Sequence, residues 1–419
     1  MTQQQILTLC RRIFVVGVLA CLILPETSCG NAQNGDAHQL TITSFSVSTD
    51  QTLTVPSNLV DLSDEHTTVF PLPNTSTYLV FGSSKISGGM GGTVVLETTD
   101  LQNFTFATGL GYNNQVMNPP VDFTSCNPAF DSEFDENYAA PGSVVQDPMQ
   151  PPGNLIMFYE AENHCPGGTN QHSFYATVGF TRSSDGGKTW PQPVDSEFGG
   201  PDRQPVLKGP IPEPATNFNG AMGDAIPSAF VDSSHIYVTY SYHDAGQSSP
   251  QAIRVARASL VNNGQFQFLK WNNGTFSGPG IGGVDSPIIP VGGCAGEQGM
   301  PEVSFNDDLG LYMMIFVCNT GPQDGHAAWF YSTATSLDLQ DWTPPQMILN
   351  SSYAVVSPCN IRAGTGTNFD GWYPSFMTPG SPAGHTRLTG QIFFMSGCDT
   401  GLPRTFASRT FTITAAPAR

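Results

Sequence analysis

One arrangement of hydrophobic and polar positions recurs along this chain: a small or apolar residue, proline, a short apolar strand, a turn, and a second strand rich in aromatic and β-branched residues. Its copies are Ala140-Pro141-Gly142-Ser143-Val144-Val145 with Leu155–Tyr159, Ile226–Val231 with Ile236–Tyr240, Met300–Phe305 with Leu311–Ile315, and Tyr373–Met377 with Gln391–Met395. A fifth copy, Thr67–Phe70 followed by Tyr78–Phe81, lacks the proline. The prolines at 141, 227, 301 and 374 stand 86, 74 and 73 residues apart. This spacing predicts one β-hairpin per unit of about 75 residues.

A third strand follows the hairpin and ends in a turn of related composition: Thr98-Thr99-Asp100-Leu101-Gln102-Asn103-Phe104, Ser183-Ser184-Asp185-Gly186-Gly187-Lys188-Thr189-Trp190, and Ser336-Leu337-Asp338-Leu339-Gln340-Asp341-Trp342. Such a turn needs Asp or Asn to hydrogen-bond its own backbone, and Gly where φ is positive. Asp100, Asp185 and Asp338 therefore read as architectural. Five four-stranded units fill residues 39–415, which predicts an all-β, five-bladed β-propeller forming one domain. The last unit lacks a strand, and Leu40–Val47 is expected to complete it. A six-bladed propeller is the alternative, with a degenerate unit hidden in Pro191–Asn219 or Phe266–Val291.

Composition agrees with this pattern. Charged residues are 12% of the 419 residues, about half the usual share, beside 44 Gly and 34 Pro, which excludes a coiled coil or helical bundle. Hydrophobic residues at 39% are enough for a large core. A formal charge of −19 repels phosphate backbones and anionic membranes, so nucleic acid is excluded as a partner while neutral carbohydrate is indifferent to the field. Arg11 and Arg12 precede the apolar run Ile13–Leu24, and Ser28, Gly30 and Ala32 follow, so residues 1–32 read as an export signal. Val18-Leu19-Ala20-Cys21 and Thr27-Ser28-Cys29 each resemble part of a lipobox. A secreted monomer, or a cell-envelope protein with a lipid anchor, is the expectation.

The segment from Ser184 to Trp190 matches the Asp-box of sialidases and related propellers. The Asp338-Leu339-Gln340-Asp341-Trp342 turn and the five-unit layout look more like the arabinanase-type five-bladed glycosidases. That resemblance implies an exported glycoside hydrolase acting on a neutral glycan of the arabinan or a similar type through carboxylates in the funnel. A non-catalytic carbohydrate- or protein-binding propeller is the alternative. A sialidase would need three arginines on the substrate carboxylate, for which Arg254, Arg257 and Arg362 are the candidates.

With Cys10, Cys21 and Cys29 in the signal or its anchor, six cysteines remain. Cys126 and Cys165 lie 15 before and 24 after Pro141, and Cys359 and Cys398 lie 15 before and 24 after Pro374. Cys294 and Cys318 bracket Pro301 in the same sense, so the expected disulfides are Cys126–Cys165, Cys294–Cys318 and Cys359–Cys398, each within one blade.

Every unit places a carboxylate just before its innermost strand: Asp64 and Glu65, Asp135 and Glu136, Asp224, Glu297, and Asp370. Glycoside hydrolysis needs one carboxyl of raised pKa and a second across the sugar. Gly220 and Gly223 beside Asp224, and Gly296 and Gly299 beside Glu297, leave room for a ligand. Glu297-Gln298-Gly299-Met300-Pro301 is similar to the segment carrying the general acid in arabinanase-type enzymes. That similarity implies Glu297 as acid and Asp224 or Asp64 as base or pKa modulator. Glu136, Asp370, Trp372 and Tyr373 would line the funnel, with Tyr138 and the second-strand ends Glu160, Glu162, His164, His243 and Asp244 near the same rim. Tyr373 also lies where sialidases place their nucleophilic tyrosine. No cofactor is required by this chemistry; an acidic funnel also suits Ca²⁺, though no metal-binding spacing is present.

Overall fold

Strands that are apolar at nearly every position leave no face for water, so their sheets must be covered on both sides. The computed structural model describes residues 40–49, 51–57, 59–62, 65–86, 91–107, 112–113, 134–135, 138–164, 174–191, 203–210, 220–244, 252–260, 266–290, 294, 297–319, 327–349, 371–396 and 405–417. Among the described residues the first elements are β1 (Leu40–Val47) and β2 (Gln51–Thr52). Blade 1 contains β3 (Leu59–Leu62), β4 (Thr68–Pro71), β5 (Tyr78–Ile86), β6 (Gly91–Thr98), β7 (Thr105–Phe106) and β8 (Tyr112–Asn113). Blade 2 contains β9 (Tyr138–Gln146), β10 (Leu155–Asn163), β11 (Phe174–Ser183) and β12 (Arg203–Lys208). Blade 3 contains β13 (Ala221–Val231), β14 (His235–Asp244), β15 (Ala252–Ser259), β16 (Leu269–Asn272) and β17 (Thr275–Pro279). Blade 4 contains β18 (Gln298–Asn306), β19 (Leu311–Asn319), β20 (Ala327–Ala334) and β21 (Gln346–Leu349). Blade 5 contains β22 (Trp372–Met377), β24 (Thr389–Ser396) and β25 (Thr405–Pro417), and the short β23 (His385–Thr386) between β22 and β24 pairs parallel with β18 of blade 4.

Each blade is an antiparallel meander of successive strands. The last reads β22-β24-β25-β1, so the first strand of the chain completes the final blade, as the repeat pattern predicts. The Ser48 N–H donates to Thr410 O at 2.9 Å and Thr43 Oγ1 donates to Thr414 O at 3.1 Å along this seam. The stretches that a six-bladed reading needs for an extra unit instead supply β12, β16 and β17 to blades 2 and 3. The propeller is the compact unit Ile42–Ala415; Met1–Thr41 with Ala416–Arg419 is a second unit, described only at strand ends.

Alternate residues of each strand face opposite neighbours, and the ring closes through five inter-blade layers. Leu79 and Phe81 of blade 1 pack with Leu155, Met157 and Tyr159 of blade 2, and Ile156 and Phe158 of blade 2 pack with Val238 and Tyr240 of blade 3. Tyr237 and Ile253 meet Phe316 and Phe330 of blade 4. Trp329 stacks edge-on against Phe394 of blade 5, ring centres 5.0 Å apart. Phe393 and Met395 return to Val80 and Leu96 of blade 1.

The prolines of the repeat sit at bulges. Ile226, Met300 and Tyr373, each just before proline, have φ of 53°, 54° and 56°, and strand register slips at these places. A β-branched residue with positive φ is strained, and the proline that follows has no N–H for the ladder. Side chains of the preceding blade take up the backbone groups freed there. Thr68 Oγ1 donates to Gly142 O and accepts the Val144 N–H, Glu160 accepts the Ile226 N–H at 2.7 Å, Ser241 Oγ accepts the Met300 N–H at 2.9 Å, and Glu302 accepts the Phe376 N–H. Each inner strand is thereby tied to the next.

The turn aspartates act as the sequence predicts, with one shift of role. Asp185 accepts from the Thr189 N–H and hydroxyl and from Ser183, and these bonds outweigh partial burial to hold its carboxyl below the usual range. Asp100 is held low by Asn103 and by backbone N–H groups. In blade 4 the turn backbone is capped by Asp341, while Asp338 reaches back to Tyr237 and Arg257 of blade 3. Cys294 and Cys318 form the expected disulfide, with Cα atoms 5.9 Å apart. Cys126, Cys165, Cys359, Cys398 and the signal segment lie outside the described residues.

Candidate functional site

β10 changes character along its length. The positions facing blade 3 run Ile156, Phe158, then Glu160 and Glu162, with His164 one step past the strand, so the strand's period of two puts three polar groups in one row. Glu160 is 3% exposed and His164 1%. The His164 Nε2 lies 2.5 Å from Glu162 Oε2. Glu65, 2% exposed and leading into β4, hydrogen-bonds the Glu160 carboxyl, which also hydrogen-bonds Glu162.

Two carboxylates cannot hydrogen-bond without a proton between them. Burial first, then the charge of Glu162, pushes the Glu160 carboxyl well above the usual carboxylate range, so the cluster retains a proton at neutral pH. Burial, opposed by Glu160, also holds His164 down at about 4, so its imidazole is neutral at pH 7 with Nε2 turned to Glu162.

The His66 Nε2 lies 2.9 Å from Pro301 O. Blades 1 and 4 are not neighbours in the ring, so this imidazole links two non-adjacent blades. Its edge meets Tyr373 of blade 5, ring centres 6.0 Å apart, and burial lowers it to about 4. Its Nε2 therefore carries the proton given to Pro301.

The other carboxylates have different fates. Asp224 is wholly buried with Lys270, Oδ2 to Nζ 2.7 Å, and Lys270 also donates to Lys208 O at 2.8 Å and lies 3.6 Å from Asp285. Burial, opposed by Lys270, raises Asp224 to about 6. Asp135 is buried against Arg203 at 2.7 Å and accepts the Tyr159 hydroxyl at 2.8 Å, so it joins strands of blade 2. Glu297 stands exposed on the rim immediately before β18. Asp64, Glu136 and Asp370 lie outside the described residues.

Tyr373 is buried between blades 5 and 1, and Trp372 packs partly buried against the same layer. His243, opposite Gly223 at the end of β14, is lowered to about 4 by burial. Arg254 and Arg257 lie on opposite faces of β15, paired with Asp285 and Asp338, so they do not converge on one carboxylate. Arg362 lies outside the described residues. Glu302, which burial drives well above the usual range, and Lys270 carry no sequence signal as site residues. The row Glu160, Glu162, His164 does carry one, an alternation of polar groups where the strand is otherwise apolar.

Among the described residues no group of three or more His, Cys, Asp or Glu side chains is arranged to hold a metal ion.

No family model and no curated protein matches the chain. Among solved structures it is similar to the catalytic domain of the GH62 α-L-arabinofuranosidase of Coprinopsis cinerea, at 15% identity and a TM-score of 0.48 over 90% of this chain and 100% of that one. The GH43 endo-arabinanase of Bacillus licheniformis is similar at 11% identity and a TM-score of 0.42, over 87% and 96% of the two chains. An N-acetylgalactosamine deacetylase of F. plautii, in complex with blood group B trisaccharide, is similar at 11% identity and a TM-score of 0.47, over 90% and 96%.

Proposed function

We propose that this chain is an exported glycoside hydrolase acting on a neutral glycan, with Glu160 as the proton donor. The observation that carries this reading is a carboxyl whose pKa burial and the charge of Glu162 push well above the usual range, against the hydrogen bonds from Glu65 and the Ile226 N–H, where blades 1, 2 and 3 meet. General acid catalysis needs a group that still holds its proton at working pH. The second carboxyl is assigned to Glu297, because blade 4 is not a neighbour of blades 1 and 2 in the ring and His66 of blade 1 reaches its inner strand at Pro301. Asp64 and Asp370 are the further candidates for that role. The three carboxyls and the Nδ1 side of His66 offer acceptors, which suits hydroxyl donors and rejects anionic sugars.

The test is hydrolysis of a panel of neutral plant and microbial polysaccharides by the purified protein. Glu160→Gln is expected to lose ~10²–10⁴-fold in turnover while thermal unfolding and glycan binding are kept. Wild-type turnover in that variant would end the assignment. A second reading, a glycan-binding propeller without turnover, is favoured by the contact between the cluster's carboxyls, which touch instead of facing each other across ~5–9 Å. Binding of a neutral glycan with no product from any substrate would establish it.

A further inference from the structure

Three groups compete for charge in the row on β10, and the geometry gives them different partners. Glu160 receives the Ile226 N–H at 2.7 Å and shares hydrogen bonds with Glu65 and Glu162. Glu162 receives the imidazole N–H of His164 at 2.5 Å. The imidazole itself is almost wholly enclosed, with the ring of Phe174 on β11 5.2 Å away. A neutral, enclosed imidazole can be a donor at one nitrogen only, and Nε2 is the nitrogen turned to Glu162.

We propose that His164 is a positioning residue: by donating Nε2–H to Glu162 it keeps the negative charge of the cluster on Glu162 and leaves the proton on Glu160. Glu160 and His164 of its own strand face Glu162, while Glu65, from the chain leading into β4, and the Ile226 N–H of β13 hydrogen-bond Glu160 and favour its ionised form, in opposition to burial and the charge of Glu162. A hydrogen bond to an ionised carboxylate stabilises the charged form, and a charged carboxylate beside a second carboxyl keeps that second one protonated. Without the imidazole donor, the ionised form of Glu162 loses a stabilising hydrogen bond and its negative charge no longer favours the protonated form of Glu160 as strongly. The name of donor for Glu160 rests on the proposed hydrolase reading, whereas the distribution of charge is measurable without any substrate.

The experiment follows glutamate carboxyl carbons by NMR in the full-length protein through a pH titration, with Glu160→Gln and Glu162→Gln used to assign the signals. In the wild type Glu162 is expected to titrate below Glu160. His164→Ala should raise the Glu162 titration by about one pH unit or more, and His164→Gln, which keeps an N–H donor, should restore most of the difference. Glu162→Gln should lower the Glu160 titration, since the neighbouring charge is gone. An unchanged Glu162 titration in a folded His164→Ala protein overturns the proposal. If that variant does not fold, an unchanged Glu160 titration in Glu162→Gln overturns it equally. The expected titrations with no hydrolysis of any glycan would refute the hydrolase reading and leave this inference standing; hydrolysis with unaltered titrations would do the reverse.

Discussion

Asp224 and Lys270 show how burial decides what a charged residue is for. Both side chains are wholly enclosed and 2.7 Å apart, joining the innermost strand of blade 3 to its fourth. Removing one partner leaves an uncompensated charge in the interior, a loss of ~3–5 kcal/mol. Lys270→Met should therefore lower stability by that order in a denaturant titration, and Asp224→Asn combined with it should recover part of the loss. His66 gives a pH-dependent case. Its folded pKa, about 4, lies below the unfolded value of 6.5, so between those two the unfolded chain binds more protons. Stability from the neutral imidazole is present above pH 6.5 and is lost as the pH falls to 4. The stability advantage of the wild type over His66→Asn should shrink by up to ~3 kcal/mol between pH 7 and pH 4, measured by urea unfolding at each pH.

At the level of elements, the repeat is legible because its signals are local. Proline, the apolar run and the Asp turn occur at regular places in every unit, and the structure puts bulges, inner strands and capped turns there. The seam between β1 and β25 is a longer-range statement, since it closes the ring with the chain's first strand. A propeller missing that strand exposes a sheet edge and the apolar face of blade 5, including the side of Phe411 that stacks on Phe45 at 5.7 Å. Truncation through Val47 should lower the thermal midpoint well below that of a protein trimmed of residues 416–419. Equal midpoints would contradict closure by this strand. Gly223 shows what elements require of single residues: at φ 95° a Cβ there would lie 2.2 Å from Ala176 O, in the parallel contact that joins β11 to β13.

The molecule as a whole carries a charge of −19, yet the described cations are mostly paired to acids inside or between blades, as Arg203, Arg254 and Lys270 are. A ligand held by hydroxyl contacts is insensitive to the field of that net charge, and an anionic or cationic one is not. For the neutral glycan proposed above, the dissociation constant should change by less than about twofold between 50 and 500 mM salt in a calorimetric titration. A steep salt dependence would mean that the bound species is charged.

The order of hydrophobic and polar positions was sufficient for the repeat, the five units, the closing strand, the Cys294–Cys318 bridge and the architectural role of the turn aspartates. All of these depend on neighbours within one unit or on equal offsets between units. The site was legible as a set of acids placed before the inner strands and a second set at the ends of the second strands. Which of them would meet was decided by the ring: Glu65 reaches Glu160 of the next blade, Asp224 finds Lys270 across its own blade, and Glu297 stays in solvent. The reason is physical. Strand propensity and turn chemistry act over a few residues, whereas the protonation and pairing of a carboxyl follow from how much water and which distant charges surround it, and those exist only once the blades have closed.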